Sequence, residues 1–311
     1  MLIEILKIIG GLIALIFGGD LLLRSAVAAS NKFKISKIVI GMTIVSFATS
    51  LPELIVSVRS AILGYPDLAL GNIVGSNIAN LGFVLAIILL FTRIKISNSF
   101  YKSDWPMMFI ASVLLWAFIQ DANISFYEGV IFLFILIVYT VYLVLVRGKK
   151  DFQDSNLTTN LSWAFIFLYC LFGSILLSFG SDILVDGSIS IAYHIGVSER
   201  VIGITVVSVG TSIPELAACL VAVLKKENAI SIGNLLGSNL FNIMCVLGIT
   251  ALINPIVVND YRLLDFDINV MIFISILILL LVFIPKKMEL HWRDGLILIF
   301  VYTIFIAKTL T

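Results

Sequence analysis

Residues 39–82 of this chain repeat at residues 201–244 without a gap, at a constant offset of 162 and with 17 of 44 positions identical. Each copy sets one glutamate, Glu53 or Glu215, in an otherwise apolar segment, directly after a proline, Pro52 or Pro214. A charged side chain at the centre of a bilayer costs about 2.5–3.5 kcal/mol or more, so it is rarely kept without a function. Two related segments, each with a proline-broken helix and an intramembrane carboxylate, point to one cation site built at a repeat interface.

Composition allows little else. With 60% apolar residues, 13% charged residues and a mean hydropathy of +1.14, the chain lies outside the soluble class. Apolar runs of membrane-spanning length predict ten spans, near 3–23, 38–62, 70–92, 105–120, 125–146, 162–182, 200–224, 230–252, 267–285 and 293–310. No alternating ten-residue pattern accompanies them, so the spans read as helices and not barrel strands. The fold expected is an all-α integral membrane protein of ten transmembrane helices. Its first half is 1–150, its linker 151–161 and its second half 162–311, with the repeated segments at 38–92 and 200–252.

Five helices per half is an odd number, so the second half enters the membrane upside down relative to the first. The charge distribution fixes the orientation. With the amino terminus outside, 15 of the 20 Lys and Arg residues fall in cytoplasmic loops. Only Lys7, Arg59, Arg200, Arg262 and Lys308 are then external, a strong positive-inside bias with both termini outside. Arg24 and its repeat counterpart Asp186 carry opposite charges, as inversion requires. The first apolar stretch, followed by Ala26-Val27-Ala28, has the outline of a cleavable signal. Gly18 and Asp20 match Gly180 and Asp182 at the same offset, however, so it reads as a retained helix of a multi-pass protein, expected in a prokaryotic cell membrane.

The remaining chemistry sits in the repeats. Pro52 and Pro214 lack an amide proton and clash with the carbonyl four residues back, so each helix should break near Ala48–Thr49 or Gly210–Thr211. Freed carbonyls in a bilayer need partners, and a bound cation is one. At helical spacing Ser46, Ser50 and Glu53 share a face with Thr49 beside them, and Ser208, Ser212, Glu215 and Thr211 repeat it. The next helix of each copy carries a polar stripe, Asn72, Ser76 and Asn80 or Asn234, Ser238 and Asn242, flanked by Asn77 or Asn239. Gly71 and Gly75, echoed by Gly233 and Gly237, form a small-residue edge for close helix approach.

Every donor in this set is an oxygen, the shell preferred by hard cations such as calcium and sodium. Two glutamates neutralise one divalent ion. A lone serine or asparagine in a membrane helix more often bonds a neighbouring helix than a ligand, and Asn72 and Asn234 are placed equally well for either. Cys170, Cys219 and Cys245 read as buried free thiols, and His194 and His291 as solvated loop residues. No nucleophile–base pair lies in the spans, so an enzyme is not expected.

The paired TSLPE/TSIPE and GSNIAN/GSNLFN segments resemble the two alpha-repeats of the cation/calcium exchanger superfamily, most closely its sodium/calcium exchanger branch. The resemblance implies antiport of calcium against sodium by alternating access, with Glu53 and Glu215 as central calcium ligands beside the main-chain carbonyls of Thr49 and Thr211. It matches Ser50, Ser212, Ser76 and Ser238 to sodium-site hydroxyls. Ser46 and Ser208 match positions offering main-chain carbonyls, and Asn80 and Asn242 match the polar positions facing the glutamates. The substrates implied are calcium and sodium, in a lipid environment. No cofactor, nucleic acid or protein partner is implied. Ala48 stands where the family motif usually has glycine, and Asn242 where potassium-dependent exchangers carry aspartate. A calcium/proton antiporter of the same fold and a cation channel are the alternatives.

Overall fold

The computed structural model describes residues 2–150, 152, 161–194, 208–284 and 288–310. Most of the expected linker at 151–161, and residues 200–207 of the second repeat segment, lie outside them. The helices are α1 (Leu2–Phe33), α2 (Lys37–Thr49), α3 (Leu51–Ile62), α4 (Pro66–Phe91), α5 (Phe100–Asp121) and α6 (Phe126–Arg147). They continue as α7 (Trp163–His194), α8 (Ile213–Leu224), α9 (Asn228–Ile253), α10 (Leu263–Phe283) and α11 (Trp292–Leu310).

Among the described residues seven helices are long and apolar enough to cross a membrane, namely α1, α4, α5, α6, α7, α9 and α10, and the bent pair α2–α3 makes an eighth. The protein is therefore an all-α, multi-span membrane protein. These eight coincide with eight of the ten expected spans. The seventh expected span begins in residues outside the description and continues as the short apolar helix α8. The tenth is α11, which carries Arg293, Asp294 and Lys308. Strand structure among the described residues is limited to two antiparallel pairs, Ile94–Lys95 with Glu289–Leu290 and Asn123–Ile124 with Ile256–Val257.

Local chemistry sets the helix starts. Pro66 occupies the first turn of α4, where the missing amide proton costs nothing, and Pro106 follows the wide turn Phe100–Asp104 of α5, at the start of its regular part Trp105–Phe118. Ser125 and Glu128 open α6 reciprocally. The glutamate carboxylate accepts from the Ser125 amide at 2.7 Å, and the serine hydroxyl accepts from the Glu128 amide at 3.4 Å.

The chain forms two compact units, each drawing on both halves of the sequence. The first comprises Met1–Thr49, Tyr142–Asn234 and Ile304–Thr311. Within it α1 packs along α7 through facing glycines. A Cβ on Gly11 would stand 2.7 Å from the Gly180 carbonyl oxygen, and one on Gly18 would stand 3.0 Å from that of Gly173. Rising numbers on one helix meet falling numbers on the other, so the two run antiparallel. Gly173 and Gly180 are also the repeat counterparts of Gly11 and Gly18. Gly41 and Gly233 make a second close approach, where a Cβ on Gly233 would run into the Ile38 carbonyl. The small-residue edge thus works at Gly233. At Gly71 an added Cβ would meet only Leu263, at 3.7 Å, among the described residues.

Several charged residues of this unit sit in pairs. Asp20 accepts from Arg24 at 2.7 Å and also pairs with Lys225, while Glu227 accepts from Lys37 at 2.7 Å. Asp186 pairs with Lys7 at 3.2 Å. Both partners of that last pair are well exposed, so it adds little stability.

The second unit comprises Ser50–Val141 and Leu235–Thr303. In it α3, the first half of α4 and the turn Asn242–Leu247 of α9 pack against one another. Asn254 ties α9 to α3 by donating to the Ala61 carbonyl at 2.6 Å, and Trp105 ties α5 to α10 by donating to the Ser275 carbonyl at 2.8 Å. The helices α4 and α9 are mostly buried, whereas α6 shows Phe134, Ile137 and Val138 outward, as a lipid-facing helix should.

Candidate functional site

The break falls at Ser50 in the first repeat, just after the position the proline clash suggested, and at Thr211–Ser212 in the second, where it overlaps the expected Thr211. Ser50 and Ser212 leave helical geometry, with ψ of 6° and 2°, and Pro52 and Pro214 are then tolerated in the first turn of the new helix. Glu53 and Glu215 become the third residues of α3 and α8, both fully buried. Free amides and the helix dipole favour negative charge in a first turn, which tempers the cost of burying each carboxylate.

Serine in front of a helix normally uses its hydroxyl to cap the amides of the first turn. Neither Ser50 nor Ser212 does so. The proline two residues on has removed one of those amides. Both hydroxyls are buried and have no hydrogen-bond partner among the described residues.

In the second unit, Ser50 just before α3 and Glu53 on it, Ser76 and Asn80 on α4, and Ser238 and Asn242 on α9 are all at most 3% exposed. The structure brings the three helices that carry them into mutual contact. Both side-chain atoms of Asn80 and the amide oxygen of Asn242 lack a partner among the described residues. A buried polar atom left unbonded costs about 1–3 kcal/mol, so a cluster of them marks a place prepared for something else.

Asn80 and Asn242 each open a wide helical turn with i→i+5 bonding, Asn80–Val84 and Asn242–Leu247. Such turns release main-chain carbonyls and gather at functional sites. No proline announces them, and the sequence reading missed both.

In the first unit, Thr49 donates its hydroxyl toward the Asn234 amide oxygen at 3.2 Å, and the Ser46 hydroxyl lies 2.8 Å from the Gly41 carbonyl and 3.1 Å from that of Asn234. The hydroxyl protons of Ser46 and Thr49 are thus engaged within the fold. Asn234 also donates to the Cys219 sulfur at 3.2 Å, and its counterpart Asn72 donates to Ser57 at 3.0 Å. Both asparagines therefore tie helices together. Thr211 and Ser212 precede α8, which packs against Ser46–Thr49. The Ser208 side chain lies outside the described residues. Gly210, where the first copy has Ala48, is held close to α7. A Cβ there would stand 2.8 Å from Val185, and its carbonyl accepts from Ser181 at 2.8 Å.

The family model described as "Sodium/calcium exchanger protein" matches residues 3–145 and 165–310. The chain is 34% identical over 268 residues to the "Putative antiporter CaxA" of Alkalimonas amylolytica, covering 83% of each chain. It is 30% identical to the "Sodium/calcium exchanger MaX1" of Methanosarcina acetivorans, covering 98% of each. Among solved structures it is similar to the sodium-calcium exchanger NCX_Mj soaked with zero Na+ and Ca2+, with a TM-score of 0.83, 27% identity and 99% of each chain covered. The match takes in both repeat segments and nearly all of the helices around them, and the chain belongs to the sodium/calcium exchanger protein family.

Proposed function

We propose that this protein is a secondary antiporter that exchanges calcium for sodium across a membrane by alternating access. The observation that carries the reading is the pair of fully buried glutamates, Glu53 and Glu215, at equivalent repeat positions directly behind helix breaks. Two carboxylates balance one calcium ion, and the same oxygens take sodium in its place, so the ions compete. Crossing with the site empty would carry both carboxylates without their cation, which couples crossing to loading. The names of MaX1 and NCX_Mj, both called sodium/calcium exchangers, agree with this reading.

The ligand set extends to the main-chain carbonyls of Ser46, Thr49, Ser208 and Thr211, the hydroxyls of Ser50, Ser76, Ser212 and Ser238, and the amides of Asn80 and Asn242. The partnerless buried oxygens of Ser50, Ser212, Asn80 and Asn242 support it. The test is calcium uptake into proteoliposomes loaded with sodium, potassium or protons. Sodium loading should drive uptake, and external potassium should make no difference, because two glutamates leave no charge to balance a further cation at Asn242. Uptake driven by a proton gradient without sodium would favour a calcium/proton antiporter. Conductance far above carrier rates would favour a channel.

The fold behind this activity is ten spans in two inverted halves, 1–150 and 162–311. Support comes from the antiparallel meeting of α1 and α7, where Gly11 faces the counterpart of Gly18 and Gly18 faces the counterpart of Gly11. Both termini are external by the positive-inside distribution. Cysteines engineered singly at Lys150 and Leu310 should then be labelled from opposite sides of intact cells. Labelling from one side would sink the topology.

A further inference from the structure

We propose that Asn77 is the positioning residue for Asn242, turning its amide so that oxygen, and not nitrogen, is offered to the transported cation. The proposal rests on the exchange reading above and adds a residue to it. Asn77 is 1% exposed, and its Nδ2 lies 3.2 Å from the main-chain oxygen of Asn239 and 3.7 Å from the sulfur of Met271. A carbonyl oxygen and a thioether only accept, so this end of the amide must be the NH2. The other end is then the oxygen, and it lies 3.1 Å from Nδ2 of Asn242. An amide oxygen also only accepts. Asn242 must therefore meet it with nitrogen, which turns the Asn242 oxygen the other way. That oxygen is buried and has no partner among the described residues.

The relay runs from a fixed main-chain carbonyl through two amides, and it decides the sign of what Asn242 presents. A rotated Asn242 would aim an NH2, a partial positive charge, where an acceptor is wanted. Holding the amide in place beforehand removes the cost of orienting it on binding. Among the described residues the repeat counterpart has no such relay. Asn239 gives its Nδ2 to the sulfur of Met108 at 3.8 Å, and Asn80 is bonded at neither end among the described residues. The two equivalent asparagines are thus unequal, with Asn242 set and Asn80 able to turn. An aspartate at 242 would need no positioning, since both its oxygens accept.

The experiment is a double-mutant comparison on the full-length protein. Calcium binding is read from the calcium-dependent rise in melting temperature, and KM and Vmax from sodium-driven calcium uptake. Asn77→Leu should raise the half-saturating calcium concentration and the KM about tenfold, the worth of one hydrogen bond, with Vmax held within about twofold. In an Asn242→Asp background the same substitution should change neither constant by more than about twofold. If Asn77→Leu does not fold, Asn77→Ala carries the same expectation. No change in calcium affinity, or an equal change in both backgrounds, would overturn the proposal, the latter by marking Asn77 as a packing residue. If the parent protein binds calcium but sodium drives no uptake, the exchange reading fails while the binding comparison still decides on Asn77. A parent that binds no calcium at all overturns both.

Discussion

Glu53→Gln and Glu215→Gln should each abolish sodium-driven calcium uptake while leaving the protein folded. Glutamine keeps the length of the side chain and one acceptor oxygen, so what is removed is charge. Two unit charges 4 Å apart attract by about 4 kcal/mol at the effective dielectric of a protein interior, and a divalent ion doubles the figure. Even half of the doubled value, after discounting solvation, is on the order of a thousandfold in affinity. Stability should hold, because the substitution keeps the shape and packing of the side chain. The measurement is calcium flux alongside the melting temperature in detergent, for each variant separately. The two should behave alike, since both residues are fully buried at the third position of a helix behind a break. A variant with near-parental flux would show that its glutamate is not a ligand.

Much of this was legible in the sequence because the repeat doubles every signal. One buried glutamate after a proline is ambiguous. Two at an offset of 162 mark one repeated feature, and helical spacing names the oxygen donors beside Glu53 and Glu215 as candidates. The helix ends were less legible. Hydropathy placed the first and sixth spans at 3–23 and 162–182, yet α1 and α7 run on to Phe33 and His194. A hydropathy window stops at the first polar cluster, and Asp20, Arg24 and Asp186 are carried in ion pairs. The wide turns at Asn80 and Asn242 were not legible, since the i→i+5 pattern comes from packing and leaves no residue signature. The role of Asn77 was hidden for another reason. In Gly-Ser-Asn the spacing cannot say whether serine or asparagine faces the ligand. It takes the acceptor at Asn239 to fix which way the amide lies.

Ser50→Ala and Ser212→Ala separate ligand from scaffold more sharply than any substitution of charge. A serine hydroxyl that served the fold would be bonded, as that of Ser46 is to the carbonyls of Gly41 and Asn234. Replacing Ser46 by alanine should therefore cost about 1 kcal/mol of stability. The hydroxyls of Ser50 and Ser212 are buried without a partner among the described residues. Removing an unsatisfied buried group relieves its desolvation cost, so both alanine variants should melt at the parental temperature or slightly above it. Their effect should appear in sodium dependence instead. Sodium is held only by neutral oxygens and shared carboxylates, and losing one oxygen of a small shell should raise the half-maximal sodium concentration about tenfold or more. That lies at the lower end of what even outer-shell changes do at metal sites. Calcium, attracted chiefly by the two carboxylates, should be less affected, so the ratio of the two half-saturation constants should shift in each variant. A fall in melting temperature with sodium dependence unchanged would make these serines structural and remove them from the site.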